Sequence, residues 1–127
     1  VLPLSRAVAM INLDMVGRMR ENTIYMGGIA TGSGFRELVD AAGRRFGLKL
    51  DYSDSSGYGS SDHFSFLAKS LPILFFYTGN HADYHTPQDT WERLDAEASA
   101  RLIELVRYIA QQLIESPNKP RFLRPHR

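Results

Sequence analysis

The side chains best suited to chemistry are concentrated between residues 55 and 90. This stretch holds His63, His81 and His85, three of the four histidines of the chain. The chain has no cysteine, so disulfides and thiolate chemistry are excluded, and a metal could be held only by His, Asp or Glu. The residue types therefore make a metal-binding loop one hypothesis for this stretch.

The loop at residues 79–90 carries His81 and His85 and follows a short apolar run, Ile73–Tyr77. The run is too short for a buried helix and rich in aromatic residues, which predicts a buried strand. Open α/β sheets place their active sites just past the ends of such strands. A glycine before the two histidines and a proline after them argue against a helix. Each of the two is therefore either a turn residue or a metal ligand.

Two further residues stand where a site could form. Asp14 ends the apolar segment Val8–Leu13, so it either caps a turn or faces a site at the edge of the sheet. Tyr58 lies between two glycines, where a large phenol gains little from packing, so the position favours its presentation to a ligand. His63, at the start of a predicted helix, is interpreted instead as a packed, hydrogen-bonded residue.

Seven elements are predicted in the order β, β, α, β, α, β, α. The strands are expected at residues 8–13, 23–26, 48–52 and 73–77, and the helices after the caps Ser33, Ser60 or Ser61, and Asp95. This order indicates an α/β sheet with helices on its faces. The first strand has no helix before it, as if half of the sheet were missing. We therefore expect a free strand edge that promotes self-association.

Size and composition exclude several classes of protein. With 127 residues the chain is one domain at most, and its net charge of +1 argues against binding to nucleic acid. No apolar run is long enough to span a membrane. The chain does not begin with Met, and we expect it to be a piece of a longer protein.

Three segments resemble the zinc-dependent aminopeptidases of the bacterial leucyl-aminopeptidase type. They are INLDMVGR (Ile11–Arg18), GYGSSDHFSF (Gly57–Phe66) and TGNHADYHTPQDT (Thr78–Thr90), in the order in which that family has them. The family includes plasma glutamate carboxypeptidase and glutamate carboxypeptidase II, with the transferrin receptor as an inactive relative. The resemblance implies a three-layer α/β/α sandwich on a mixed sheet, of which residues 1–115 would be the C-terminal part. Residues 116–127 would then be a flexible tail or linker.

The resemblance also implies a metallo-aminopeptidase with two zinc ions that acts on a peptide or amino-acyl substrate. Asp14 would be a ligand of one zinc, His85 a ligand of the other, and Tyr58 a hydrogen-bond donor to the oxyanion. Met15 and Tyr84 would line the pocket for the first side chain of the substrate. We expect His85 to donate its second ring nitrogen to a carboxylate or a carbonyl. The carboxylates available for this are Asp62, Asp83 and Asp89.

Part of the family pattern is missing. The family also needs an earlier histidine ligand, a bridging aspartate and a Glu-Glu pair, and this chain has none of these. The chain alone would supply one ligand to each zinc and is expected to be inactive. The alternative is a non-catalytic binding or interaction module on the same fold, as in the transferrin receptor. Many relatives are secreted or periplasmic, which favours that compartment by resemblance only.

Overall fold

The sheet and its helices follow the predicted order. The computed structural model describes residues 1–54, 56–59 and 61–126. The strands are β1 (Met10–Leu13), β2 (Thr23–Gly27), β3 (Lys49–Asp51) and β4 (Ile73–Tyr77), and the helices are α1 (Phe35–Phe46), α2 (His63–Leu67) and α3 (Ala96–Glu115). Short 3-10 turns occur at Leu4–Arg6, Ile29–Thr31 and Trp91–Arg93. The predicted α/β fold is confirmed.

The four strands form one mixed sheet in the order β1-β4-β2-β3. Strand β1 runs parallel to β4, with Asn12 opposite Phe75 and Leu13 opposite Phe76, whereas β2 runs antiparallel to β4. The carboxyl ends of parallel neighbours meet at the same edge of a sheet. Asp14, directly after β1, is therefore brought beside the loop that follows β4, and its backbone N–H donates to the carbonyl of Phe76 at 3.2 Å.

Different helices pack on the two faces of the sheet. Alternate side chains of β4 point to opposite faces, so neighbouring residues of this strand contact different helices. Leu74 and Phe76 belong to the buried core on one face, together with residues of α1 and α3 such as Val39 and Leu105. On the other face, the ring of Phe75 stacks on that of His63 in α2, with centroids 4.4 Å apart. The sheet therefore lies between two helical layers.

Three predicted details differ in the structure. Helix α1 is capped by Gly34 and not by Ser33, whose hydroxyl accepts a hydrogen bond from the backbone N–H of Arg121 at 2.8 Å. The cap position of helix α2 is Asp62 and not Ser61, and the other proposed cap, Ser60, lies outside the described residues. Strand β1 covers only the last four of the six residues predicted for it, 8–13, and it is half-buried along most of its length.

The C-terminal segment pairs with the turn before α1. The backbone N–H of Leu123 donates to the carbonyl of Thr31 at 2.9 Å, and Phe122 forms a bridge with Gly32. The proposed division at residue 115 and the flexibility of the tail stay predictions, and Arg127 lies outside the described residues. Within the described ranges, no helix combines the length and the apolar character needed to cross a bilayer.

Candidate active site

One cavity at the carboxyl ends of β1 and β4 gathers most of the predicted site residues. Its volume is about 370 Å³, and the predicted residues that line it are Asp14, Met15, Tyr84, His85 and Asp89. Arg18 and His81 line it as well. Tyr58, Asp62 and Asp83 do not line this cavity. We call it the Asp14–His85 cavity below.

The carboxylate of Asp14 is exposed but oriented by a chain of hydrogen bonds. Its Oδ2 accepts from the hydroxyl of Ser61 at 2.9 Å. The same hydroxyl oxygen accepts from Nδ2 of Asn12 at 2.8 Å, and this Nδ2 lies 3.2 Å from Nδ1 of His63. Because Nδ2 has two hydrogens, it can donate one to each partner, which leaves the hydroxyl hydrogen of Ser61 for Asp14. The network therefore fixes the direction in which Asp14 faces the cavity.

His63 anchors this network as a neutral ring. The ring is fully buried and packs against Phe75, as the sequence predicted for a packed histidine. Burial lowers the pKa of His63 because the charged form loses solvation. An unprotonated Nδ1 can accept from Asn12, so the neutral state suits the observed contact.

The turn after β1 is tied to the end of β4. The carbonyl of Met15 accepts from both the backbone N–H and the hydroxyl of Thr78, at 3.0 Å and 2.6 Å. Met15 itself has a φ of 56°, an uncommon backbone conformation for a residue other than glycine. The buried Thr78 thus holds the backbone between Asp14 and Arg18 in one shape.

His85 lies on the loop that follows β4, outside any helix or strand. It has a φ of 55°, and its ring contacts that of Tyr84 with centroids 3.8 Å apart. Both side chains are exposed toward the cavity that they line. The structure of this loop is set mainly by local turns, among them a hydrogen bond of 3.0 Å from the N–H of Thr86 to the carbonyl of Asp83.

The carboxylates proposed to accept from His85 have other partners or other positions. Asp83 and Asp89 form ion pairs with Arg18 at 2.7 Å and 2.6 Å. Asp62 precedes α2 and is exposed. No hydrogen bond joins His85 to any of the three within the described part of the chain. Their proposed role toward His85 stays a prediction.

Tyr58 lies apart from the cavity on the segment between β3 and α2. It is half-buried, and its backbone N–H donates to the hydroxyl of Ser56 at 3.2 Å. Ser61 was predicted only as a possible helix cap, but its hydroxyl, two residues before α2, donates to Asp14, which directly follows β1. No local signal in the sequence distinguishes this contact from a cap.

The donor types in the cavity suit zinc, but the set is incomplete. Asp14 offers a carboxylate and His85 an imidazole, both of which are common zinc ligands. Among the residues that the structure describes, no three His, Asp or Glu side chains are grouped closely enough to hold a metal. Catalytic zinc usually takes three ligands from protein, so Asp14 and His85 alone do not make a complete zinc site.

The fold is shared with solved aminopeptidases. The LapA aminopeptidase of Legionella pneumophila superposes with a TM-score of 0.73 at 23% identity, covering 87% of this chain and 32% of LapA. The aminopeptidase of Aneurinibacillus sp. strain AM-1 gives a TM-score of 0.68 at 25% identity, covering 98% of this chain and 29% of that protein. The chain thus spans about a third of the length of these structures.

The sequence itself identifies the protein family to which the chain belongs. Residues 2–110 match peptidase family M28. None of the curated proteins compared with the chain matches it. The chain belongs to peptidase family M28, which confirms the resemblance found in its three motifs.

Proposed function

We propose that this chain is the C-terminal part of the catalytic domain of a zinc-dependent aminopeptidase. The observation that carries the proposal is the presence of Asp14 and His85, a carboxylate and an imidazole, in one cavity at the carboxyl ends of two parallel strands. Membership of peptidase family M28 and the shared fold with two aminopeptidases support it.

Two zinc ions would be held in part by this chain. Asp14 would be a ligand of one and His85 a ligand of the other, with the remaining ligands and the general base supplied by residues outside this chain. When bound, such a pair supplies Lewis-acid polarisation of the scissile carbonyl and a lowered pKa for the attacking water. The hydrogen bond from Ser61 holds the carboxylate of Asp14 ready for its metal.

The other predicted residues have roles that follow from their positions. Met15 and Tyr84 line the same cavity as the two ligands, so they would contact the first side chain of a peptide or amino-acyl substrate. Tyr58 would donate its phenolic hydrogen to the oxyanion, a contact worth a few kcal/mol in a desolvated site. Its segment, residues 56–59, would have to lie against the substrate in the complete enzyme.

The chain alone would be inactive and prone to association. Strand β1 pairs only with β4 in the described sheet, so one of its edges is free. Ile11, Leu113 and the exposed Ile114 line an apolar cavity of about 410 Å³ beside that strand. In a longer protein this surface would be covered, and in the isolated chain we expect it to drive self-association.

The test is an aminopeptidase assay with zinc quantification on this chain and on a version extended upstream. The proposal expects activity and two zinc ions in the extended protein, and neither in the short chain. Activity of the short chain, or an extended protein that lacks both metals, would contradict the assignment. An extended protein that folds but binds no zinc would be the non-catalytic module considered as the alternative.

A further inference from the structure

Arg18 joins the two segments that carry the proposed ligands. It lies four positions after Asp14, in the turn that follows β1, and its side chain is only 16% exposed. Its Nη1 donates to Oδ2 of Asp83 at 2.7 Å and its Nη2 donates to Oδ1 of Asp89 at 2.6 Å. These two carboxylates stand on either side of His85 in the chain.

The segment between Asp83 and Asp89 has no helix or strand to define its position. Its hydrogen bonds are local turns, such as that from the N–H of Asp89 to the carbonyl of Thr86 at 3.1 Å. Local turns fix the shape of a loop, but not its placement relative to the sheet. The two ion pairs with Arg18 tie both ends of the segment to the turn after β1.

The backbone of the turn after β1, which carries Arg18, is held in place by hydrogen bonds. Thr78 holds the carbonyl of Met15, and its hydroxyl also accepts from the backbone N–H of Arg18 at 3.4 Å. The guanidinium therefore starts from a backbone anchored to the end of β4. Since the contact with Asp83 is partly buried, solvent and salt screen it less than a surface pair.

We propose that Arg18 is a positioning residue that places the His85 loop against the turn after β1, and so sets the position of His85 relative to Asp14. The effect of this positioning on metal binding at His85 rests on the proposed function. In this role Arg18 acts through the His85 loop and not as a ligand of the metal. The planar fork of a guanidinium can hold two carboxylates at once, whereas an ammonium is a single point of charge.

The critical variant is Arg18→Lys in the full-length protein. It keeps the charge but loses the bridging geometry, so the loop is expected to be held at one end only. Arg107→Lys is the matched control, because Arg107 is exposed on α3 and pairs only with Glu104 in the described chain. Asp89→Asn serves as a second variant should Arg18→Lys fold poorly. It removes the pair with Arg18 at a more exposed site, and with it the contact of 3.9 Å between Asp89 and His81.

The first measurement is amide hydrogen exchange, which does not depend on the metal. Arg18→Lys and Asp89→Asn should each speed exchange in residues 81–89 about tenfold, with β4 unchanged, and Arg107→Lys should leave both unchanged. The effects of Arg18→Lys and Asp89→Asn should not add in the double variant, because they act through one contact. Unchanged exchange in residues 81–89 would overturn the proposal, whether or not the protein binds zinc.

The second measurement is zinc affinity, determined by competition with a chelator. If the full-length protein binds two zinc ions, Arg18→Lys should weaken one of them about tenfold or more and spare the other, with little change in the unfolding midpoint. A purely structural role would lower the midpoint and affect both sites. Equal affinities in wild type and variant would overturn the proposal. A wild-type protein that binds no zinc would refute the proposed function. The positioning role of Arg18 would then be tested by amide hydrogen exchange alone.

Discussion

Asp14 and His85 line the same cavity although the first ends a strand and the second lies on a loop far along the chain. The parallel pairing of β1 with β4 brings their carboxyl ends together. The turn after β1 is then fixed by Thr78, and the His85 loop is tied to it through Arg18. The proximity of the two proposed ligands thus follows from strand pairing and a small set of polar contacts.

Replacing Ser61 by alanine should weaken metal binding without unfolding the protein. The hydroxyl of Ser61 is the donor that orients Asp14, so its loss should lower the affinity for one zinc about tenfold. The measurement is chelator competition on the full-length protein. Ser65→Ala is the matched control, because Ser65 is exposed on α2, the short helix that begins two residues after Ser61. Equal zinc affinities for wild type and Ser61→Ala would show that Ser61 does not orient Asp14 for metal binding.

The sequence was sufficient for the elements but not for the contacts between them. The apolar run Ile73–Tyr77 predicted β4, because burial and alternation are local signals. The pairing of Arg18 with Asp83 and Asp89 was missed, since nothing local distinguishes an ion pair from a solvated charge. Asp83 and Asp89 were therefore considered only as partners of His85.

A helix cap was predicted correctly only where no distant segment of the chain binds the capping side chain. Asp95 caps α3 as predicted, with its side chain accepting from the N–H of Ala98 at 2.9 Å. Ser33 has equally suitable chemistry, but its hydroxyl accepts from Arg121 of the C-terminal segment, and Gly34 takes the cap position with a φ of 78°. A tertiary contact overrode the local preference there.

Gly28 should tolerate a side chain far less well than Gly34. Both have a positive φ, 79° and 78°, so alanine at either costs about 1 kcal/mol through its backbone conformation. A Cβ on Gly34 would meet nothing within 4 Å, whereas one on Gly28 would lie 2.4 Å from the carbonyl oxygen of Ile73 in β4. We expect Gly28→Ala to lower the free energy of unfolding by about 3 kcal/mol.

Gly34→Ala is the matched control for the effect of Gly28→Ala on the free energy of unfolding. Chemical denaturation of the full-length protein should show a loss of about 1 kcal/mol for this variant, smaller than that for Gly28→Ala. Similar losses for the two variants would mean that the close approach of Gly28 to Ile73 does not determine stability.

Stability should decline at alkaline pH in part through Tyr52. Burial, and then the hydrogen bond to Asp40, raise the pKa of Tyr52 above its usual value of about 10. Since the folded state holds the proton more tightly, this contribution is complete below about pH 10 and is lost as pH rises through the raised pKa. Urea midpoints at neutral and alkaline pH should therefore fall further for wild type than for Tyr52→Phe. An equal fall in both would show that Tyr52 does not contribute.

The most direct test of the central claim is anomalous X-ray scattering at the zinc edge from crystals of the full-length protein. We predict two zinc peaks about 3.5–4 Å apart, one bonded to the carboxylate of Asp14 and the other to the ring of His85. Zinc bound elsewhere, or no zinc at either side chain in a zinc-loaded crystal, would contradict the account.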